Sequence, residues 1–211
     1  MRVFQFRHGS IYNYNMLEHY TEAFVFDNKI SKELDAIITL YTRDFGKVIA
    51  RAKSARKITS KLNSHLQPLN FVNCRLIEKN GFQVVDALII EDGSQLEKNS
   101  GNPVKFLNIA QFINEMTFEL HQDLRLWQAI KKIFSADLVS LEDKVIYRGL
   151  LKILGFDPEH ASCVVCDNPQ ADYFSKSEHI FLCAKCARHG RGAAGKIAQN
   201  QLLFIGNARR Q

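Results

Sequence analysis

The sequence predicts an α+β protein in which a five-stranded barrel precedes a helical region carrying a metal-binding element. Three observations predict it: short β-rich runs confined to the first 90 residues, a switch to helical periodicity after residue 103, and four cysteines in two C-x-x-C pairs. At 211 residues and 46% hydrophobic content, the chain can bury one good core or two small ones. That argues against disorder and against a scaffold held by disulfides alone.

The β region opens at Thr21. TEAFVF (21–26), LDAIITLYT (34–42) and FGKVIARAK (45–53) are rich in Val, Ile, Phe, Tyr and Thr and are separated by short turn-like stretches. Residues 66–78 and 82–90 read as two longer strands joined around Asn80-Gly81, a strong hairpin dipeptide. Five strands in so short a segment fit a closed barrel of the oligonucleotide-binding (OB) type, and strand count alone also admits an SH3-like barrel. The barrel is assigned to residues 16–92, preceded by an extension over 1–15. A polar linker follows over 93–102.

Residues 103–211 read as a helical domain. Phe106, Ile109, Ile113, Met116 and Leu120 recur at alternating spacings of three and four, which places them on one helix face. Leu126, Ile130 and Ile133 continue the pattern in a second helix. A third runs from about Leu141 and stops at Gly155, with Pro158 just beyond it. These apolar stripes read as packing surfaces.

Cys163 and Cys166 are separated by two residues, as are Cys183 and Cys186, and sixteen residues lie between the pairs. Two tight C-x-x-C turns can complete the tetrahedral thiolate shell that zinc takes in structural sites. A filled shell leaves no open position for water, so the element at 160–190 is expected to hold structural zinc that stabilises its own fold. An iron–sulfur cluster could use the same thiolates. A redox pair would not account for the second C-x-x-C, and the H-x-E and P-C-x-x-C signatures of zinc deaminases are absent. His160, His179 and His189 read as bystanders, and Cys74 as a small buried hydrophobe. Five cysteines without an apolar export signal point to reduced thiols, hence to a soluble, cytoplasmic protein with no membrane contact.

The net charge of +6 is unevenly placed. Arg43, Lys47, Arg51, Lys53, Arg56, Lys57 and Lys61 face one acidic residue, Asp44, within residues 43–61, while the rest of the chain holds 21 basic and 21 acidic residues. Strand alternation sends Lys47, Ile49 and Arg51 to one face and Val48, Ala50 and Ala52 to the other. Such a one-signed stretch suits a polyanion. Tyr41, just upstream, is expected to offer a stacking surface for an unpaired base. No recognition-helix motif indicates base-sequence specificity.

Taken together, TEAFVF (21–26), IITLYTRDFGKVIARAKSARKITSKL (37–62), LQPL (66–69), LLKILGFDPEHASCVVCDNP (150–169) and FLCAKC (181–186) resemble the bacterial recombination and repair mediator family RecO. The resemblance implies an N-terminal OB domain, a helical domain and an inserted zinc-binding element. It implies binding to single- and double-stranded DNA and annealing of strands coated with single-strand-binding protein. It further implies contact with the tail of that protein, action with RecR to load RecA, a place at the nucleoid, and no enzymatic activity. The family's basic stretch maps onto Lys47, Arg51, Lys53, Arg56, Lys57 and Lys61, and its zinc ligands onto the four cysteines.

Three departures stand out. Residues 1–15 precede the usual start, and the chain ends about 25 residues after Cys186, so an abbreviated helical domain is expected. Ser54 stands where the family has glycine, which is expected to remove easy access to positive φ there. The alternative reading of the same elements is an RNA-binding accessory factor, since OB barrels and zinc ribbons also serve RNA. An enzyme would need clustered carboxylates or an open metal site, and the acidic residues here are scattered.

Overall fold

The computed structural model describes residues 16–31, 33–55, 57, 60–94, 103–135 and 141–206. The expected extension over 1–15 and all but two residues of the expected linker lie outside them. Strands β1 (Leu17–Ile30), β2 (Ala36–Thr42), β3 (Gly46–Ala52), β4 (Phe71–Glu78) and β5 (Phe82–Glu91) pair in the order β1-β2-β3-β5-β4, and β4 returns to β1, closing a barrel. All pairings are antiparallel except a short parallel contact, Ala50↔Phe82 and Arg51↔Gln83. A single turn of helix, α1 (Leu62–His65), lies between β3 and β4.

The barrel closes because the inward positions are small or branched. Ala23, Val25, Ile38, Leu40, Val48, Ala50, Val72, Leu76 and Val84 all lie at or below 1% exposure and fill its interior. The expected alternation in β3 is observed: Val48, Ala50 and Ala52 are buried, while Lys47, Ile49 and Arg51 point outward. At the β4–β5 turn, Asn80 (φ +51°) and Gly81 (φ +113°) take the positive φ that a tight hairpin requires.

β1 is apolar on its other face too, and that face builds a second core. Phe24 and Phe26 on β1, Tyr41 on β2 and Phe71 on β4 point away from the barrel interior and are covered by helices. These helices are α2 (Pro103–Met116), α3 (Leu124–Phe134) and α4 (Asp143–Ile153). Phe24 packs on Phe134 with ring centroids 4.1 Å apart, and Phe71 meets Trp127 edge-on at 5.6 Å. Each large side chain buried there contributes roughly 1.5–3 kcal/mol. Asp123 caps α3 by accepting from the backbone N–H groups of Arg125 and Leu126. α4 ends as expected, with Gly155 at φ +92°.

The helical reading of Leu120 is corrected. α2 stops at Met116; Leu120 has φ +56° and is 60% exposed. The segment after α2 instead runs against the barrel, where Leu120 N–H donates to the Lys47 carbonyl at 2.9 Å and Glu119 bridges Lys47. Gly46 makes this approach possible. It sits at φ +67°, and a Cβ there would collide with the His121 carbonyl.

The last unit contains more strand than a helical domain implies. β6 (Tyr173–Ser175), β7 (Ile180–Leu182) and β8 (Leu202–Phe204) form a small sheet in the order β7-β6-β8, with α5 (Ala184–Arg188) beside it. Phe174 and Ile205 join the helical core, and Lys176 pairs with Glu115 of α2 at 2.8 Å. No described helix is long and apolar enough to cross a membrane.

Candidate metal centre and nucleic-acid interface

Two backbone turns bring the four cysteines together. In the first, Asp167 takes φ +53° so that its N–H reaches the Cys163 carbonyl at 2.8 Å, folding Cys163 and Cys166 onto one side. In the second, Cys183 is the N-cap of α5 and Cys186 lies in the first turn, whose N–H points at the Cys183 sulfur. Val164 N–H donates to the Phe181 carbonyl at 3.1 Å and ties one turn to the strand leading into the other.

All four Sγ atoms lie within 4.8 Å of one another, with Cys166 at 3.7 Å from both Cys183 and Cys186. Four thiolates about 2.3 Å from a central zinc stand about 3.8 Å apart in a regular tetrahedron. The cluster therefore has the dimensions and donor set of a site that could hold a metal ion. Burial works against ionising Cys163, but backbone N–H groups of Cys183, Val165 and Cys166 draw its thiol down to about 7. Burial and three neighbouring sulfurs push Cys186 up to about 12. Four thiols this close cannot all ionise unless a cation lies between them.

The basic stretch divides into free and engaged residues. Lys53, Lys57 and Lys61 are exposed and have no ion-pair partner among the described residues. Arg43 is also exposed, on the β2–β3 turn. Lys47 is only half-exposed: its Nζ donates to the Asn114 carbonyl of α2 at 2.8 Å, and burial draws its pKa down. Arg51 pairs with Asp35, donating from Nε at 3.1 Å. Arg56 lies outside the described residues.

Tyr41 is corrected as a stacking residue. It is 1% exposed and enclosed by the second core, with the Phe26 ring 5.8 Å away, so it presents no face to a base. Among the described residues its hydroxyl makes no hydrogen bond of ordinary geometry, and burial pushes its pKa up to about 12, helped by the Asp123 carboxylate and opposed by the Asp123 backbone. The expectation for Ser54 is corrected as well: it does take positive φ, at +53°.

Two features were not read from the sequence. Between α3 and α4 lies a cleft of about 220 Å³, lined by Ala129, Ile133, Val145, Ile146, Gly149 and Ile153, with Lys132 at its edge. The apolar periodicity of both helices was legible, but not which positions would stay uncovered. A second group of exposed cations, Lys185, Arg188, Arg191 and Lys196, lies on α5, which carries Cys186, and on the turn that follows it. The absence of any Asp or Glu after Glu178 was the signal that could have found it.

Comparison with known families decides the wider context. The family model described as Recombination protein O N terminal matches residues 16–92, and Recombination protein O C terminal matches residues 108–210. The chain belongs to the RecO family. It is 30% identical over 173 residues to the DNA repair protein RecO of Thermoanaerobacter sp. (strain X514), covering 79% of this chain and 70% of that one. It is 31% identical over 181 residues to the RecO protein of Thermodesulfovibrio yellowstonii, covering 80% and 70%. The RecO protein of Heliobacterium modesticaldum is 30% identical over 201 residues, covering 87% and 71%. The RecO models thus cover both the barrel and the cysteine-bearing unit.

Proposed function

We propose that this chain acts in DNA repair as a recombination mediator that binds single- and double-stranded DNA and anneals complementary strands, working in the cytoplasm at the nucleoid. The observation that carries this reading is the set of exposed cations Lys53, Lys57 and Lys61, without an ion-pair partner among the described residues, in the segment that follows β3 of a RecO family member's barrel; Arg43 lies at the opposite end of β3. Annealing breaks no covalent bond. What it needs is relief of phosphate–phosphate repulsion while two strands meet, and lysines neutralising phosphates provide it. Catalytic chemistry has no part in the mechanism.

The barrel's order β1-β2-β3-β5-β4 and its closure support an OB fold. Arg51 serves the surface indirectly, because Asp35 holds both its guanidinium and the Ser54 N–H and so shapes the loop that presents Lys53 and Lys57. The four cysteines would hold zinc as a closed structural shell. Bound there, zinc would supply folding free energy to the small β6–β8 unit, and the residues that would hold it are Cys163, Cys166, Cys183 and Cys186. For partners, we assign RecR, and RecA through it, together with single-strand-binding protein. The α3–α4 cleft, apolar with a lysine at its edge, is the seat we assign to that protein's tail.

The test is the rate of pairing of complementary strands coated with single-strand-binding protein. Wild-type protein should accelerate it, and Lys53→Glu/Lys57→Glu should remove most of the acceleration. Unchanged annealing by that double variant would refute the mechanism. Tighter binding to RNA than to DNA of equal length would favour an RNA-binding role instead.

A further inference from the structure

Residues 179–211 contain six Lys or Arg and no Asp or Glu. Lys185, Arg188, Arg191 and Lys196, the four among the described residues, are all exposed, and among the described residues none of them takes part in an ion pair. Glu178, the acidic residue just before this run, accepts from the backbone N–H groups of Ala193 at 2.7 Å and Ala194 at 3.3 Å. Ordinary surfaces intersperse the two signs, whereas four exposed cations stand here with Glu178, a carboxylate already engaged by the backbone of the Arg191–Lys196 hairpin.

The cations are also held in place. Lys185 and Arg188 lie one turn apart on α5, whose N-cap and first turn carry Cys183 and Cys186. Arg191 and Lys196 face each other across a β-bridge, closed by Gly192 N–H to the Gly195 carbonyl at 2.7 Å and by Ile197 N–H to the Gly190 carbonyl at 2.9 Å. Fixed arginines suit phosphate, because the guanidinium fork meets two oxygens at once and loses little freedom when its backbone is already set.

We infer that this face of the cysteine element is a second contact surface for a nucleic-acid backbone, so that one chain holds two strands, one at the barrel and one here. The inference deepens the annealing reading and rests on it. A single basic surface can neutralise one strand; two surfaces on one chain bring two strands into each other's neighbourhood and raise their effective concentration. The cysteine cluster then does more than stabilise its own unit, because it sets the positions of the second strand's contacts.

Native mass spectrometry of the full chain with a short oligothymidylate, which cannot pair with itself, counts strands per chain. Wild type is expected to bind two, and Lys185→Glu/Arg188→Glu one. Metal content measured on the same sample shows whether the cysteine site survives the change. Arg191→Gln/Lys196→Gln, outside the ligand-bearing helix, should give the same loss if it does not. Two strands retained by both variants would overturn the inference. So would a wild type that binds one strand and loses it in Lys53→Glu/Lys57→Glu, and that result would leave the mediator reading standing. A wild type that binds no strand would end both.

Discussion

Ser54 holds φ at +53° because the Asp35 carboxylate accepts from its backbone N–H at 2.8 Å while also pairing with Arg51. A left-handed conformation costs an L-residue about 1–2 kcal/mol, and glycine's extra freedom in the unfolded chain offsets part of the gain on replacement. Ser54→Gly should therefore stabilise the protein by about 0.5–1 kcal/mol in denaturant unfolding; a loss of stability would contradict this account of the loop. At this scale the sequence was legible for residue type and less so for residue duty. Lys53, Lys57 and Lys61 read as basic and have no ion-pair partner among the described residues, whereas Arg51 reads the same and is committed to Asp35. The Asp35 partner lies sixteen residues away, beyond anything local spacing reveals. Tyr41 shows the same limit: its period-two position points it out of the barrel, and only the later helices decide that outward means buried.

Among the elements, β3 carries clear alternation, and the hairpin at Asn80-Gly81 was legible from the dipeptide. β1 held a further signal. Its inner Ala23 and Val25 and outer Phe24 and Phe26 mark a strand buried on both faces, which forecasts that something packs on the barrel's outside. α2 ends before its apolar pattern does, since the Thr117 hydroxyl donates to the Ile113 carbonyl and the chain then turns to meet β3. Strands β6 to β8, three residues each, are too short to show a period. The junction between α2 and the barrel depends on Gly46. Gly46→Ala combines a positive φ with a clash against the backbone of His121, so it should cost about 3 kcal/mol. A midpoint in urea close to wild type would show that the junction is softer than its geometry implies.

On the scale of the whole molecule, one aromatic core joins barrel, helices and cysteine unit, from Phe24 through Trp127 to Phe174. The four cysteines have their own small apolar cluster, which includes Leu182 and Ile197, so loss of a bound metal should be felt first locally. Chelation, or Cys163→Ser, is expected to speed amide exchange at Phe174 and Leu182 while Leu40 and Val48 in the barrel keep their protection. Equal acceleration at all four would mean that the chain unfolds as one unit and that the barrel depends on the metal. The C-x-x-C spacing made the gathering of the four cysteines the most legible feature. The charge pattern was legible only in part, because 21 basic and 21 acidic residues outside 43–61 balance in total while remaining separated along the chain.

The central claim is that exposed lysines on the barrel bind nucleic acid by neutralising its backbone. The most direct measurement is the affinity for a single-stranded oligonucleotide as a function of salt, for wild type and for Lys53→Glu/Lys57→Glu. The logarithm of the affinity should fall linearly with the logarithm of salt concentration, by about 0.7 per phosphate neutralised, and the slope should shrink in the double variant. An affinity independent of salt, or one with the same slope in both proteins, would contradict the account.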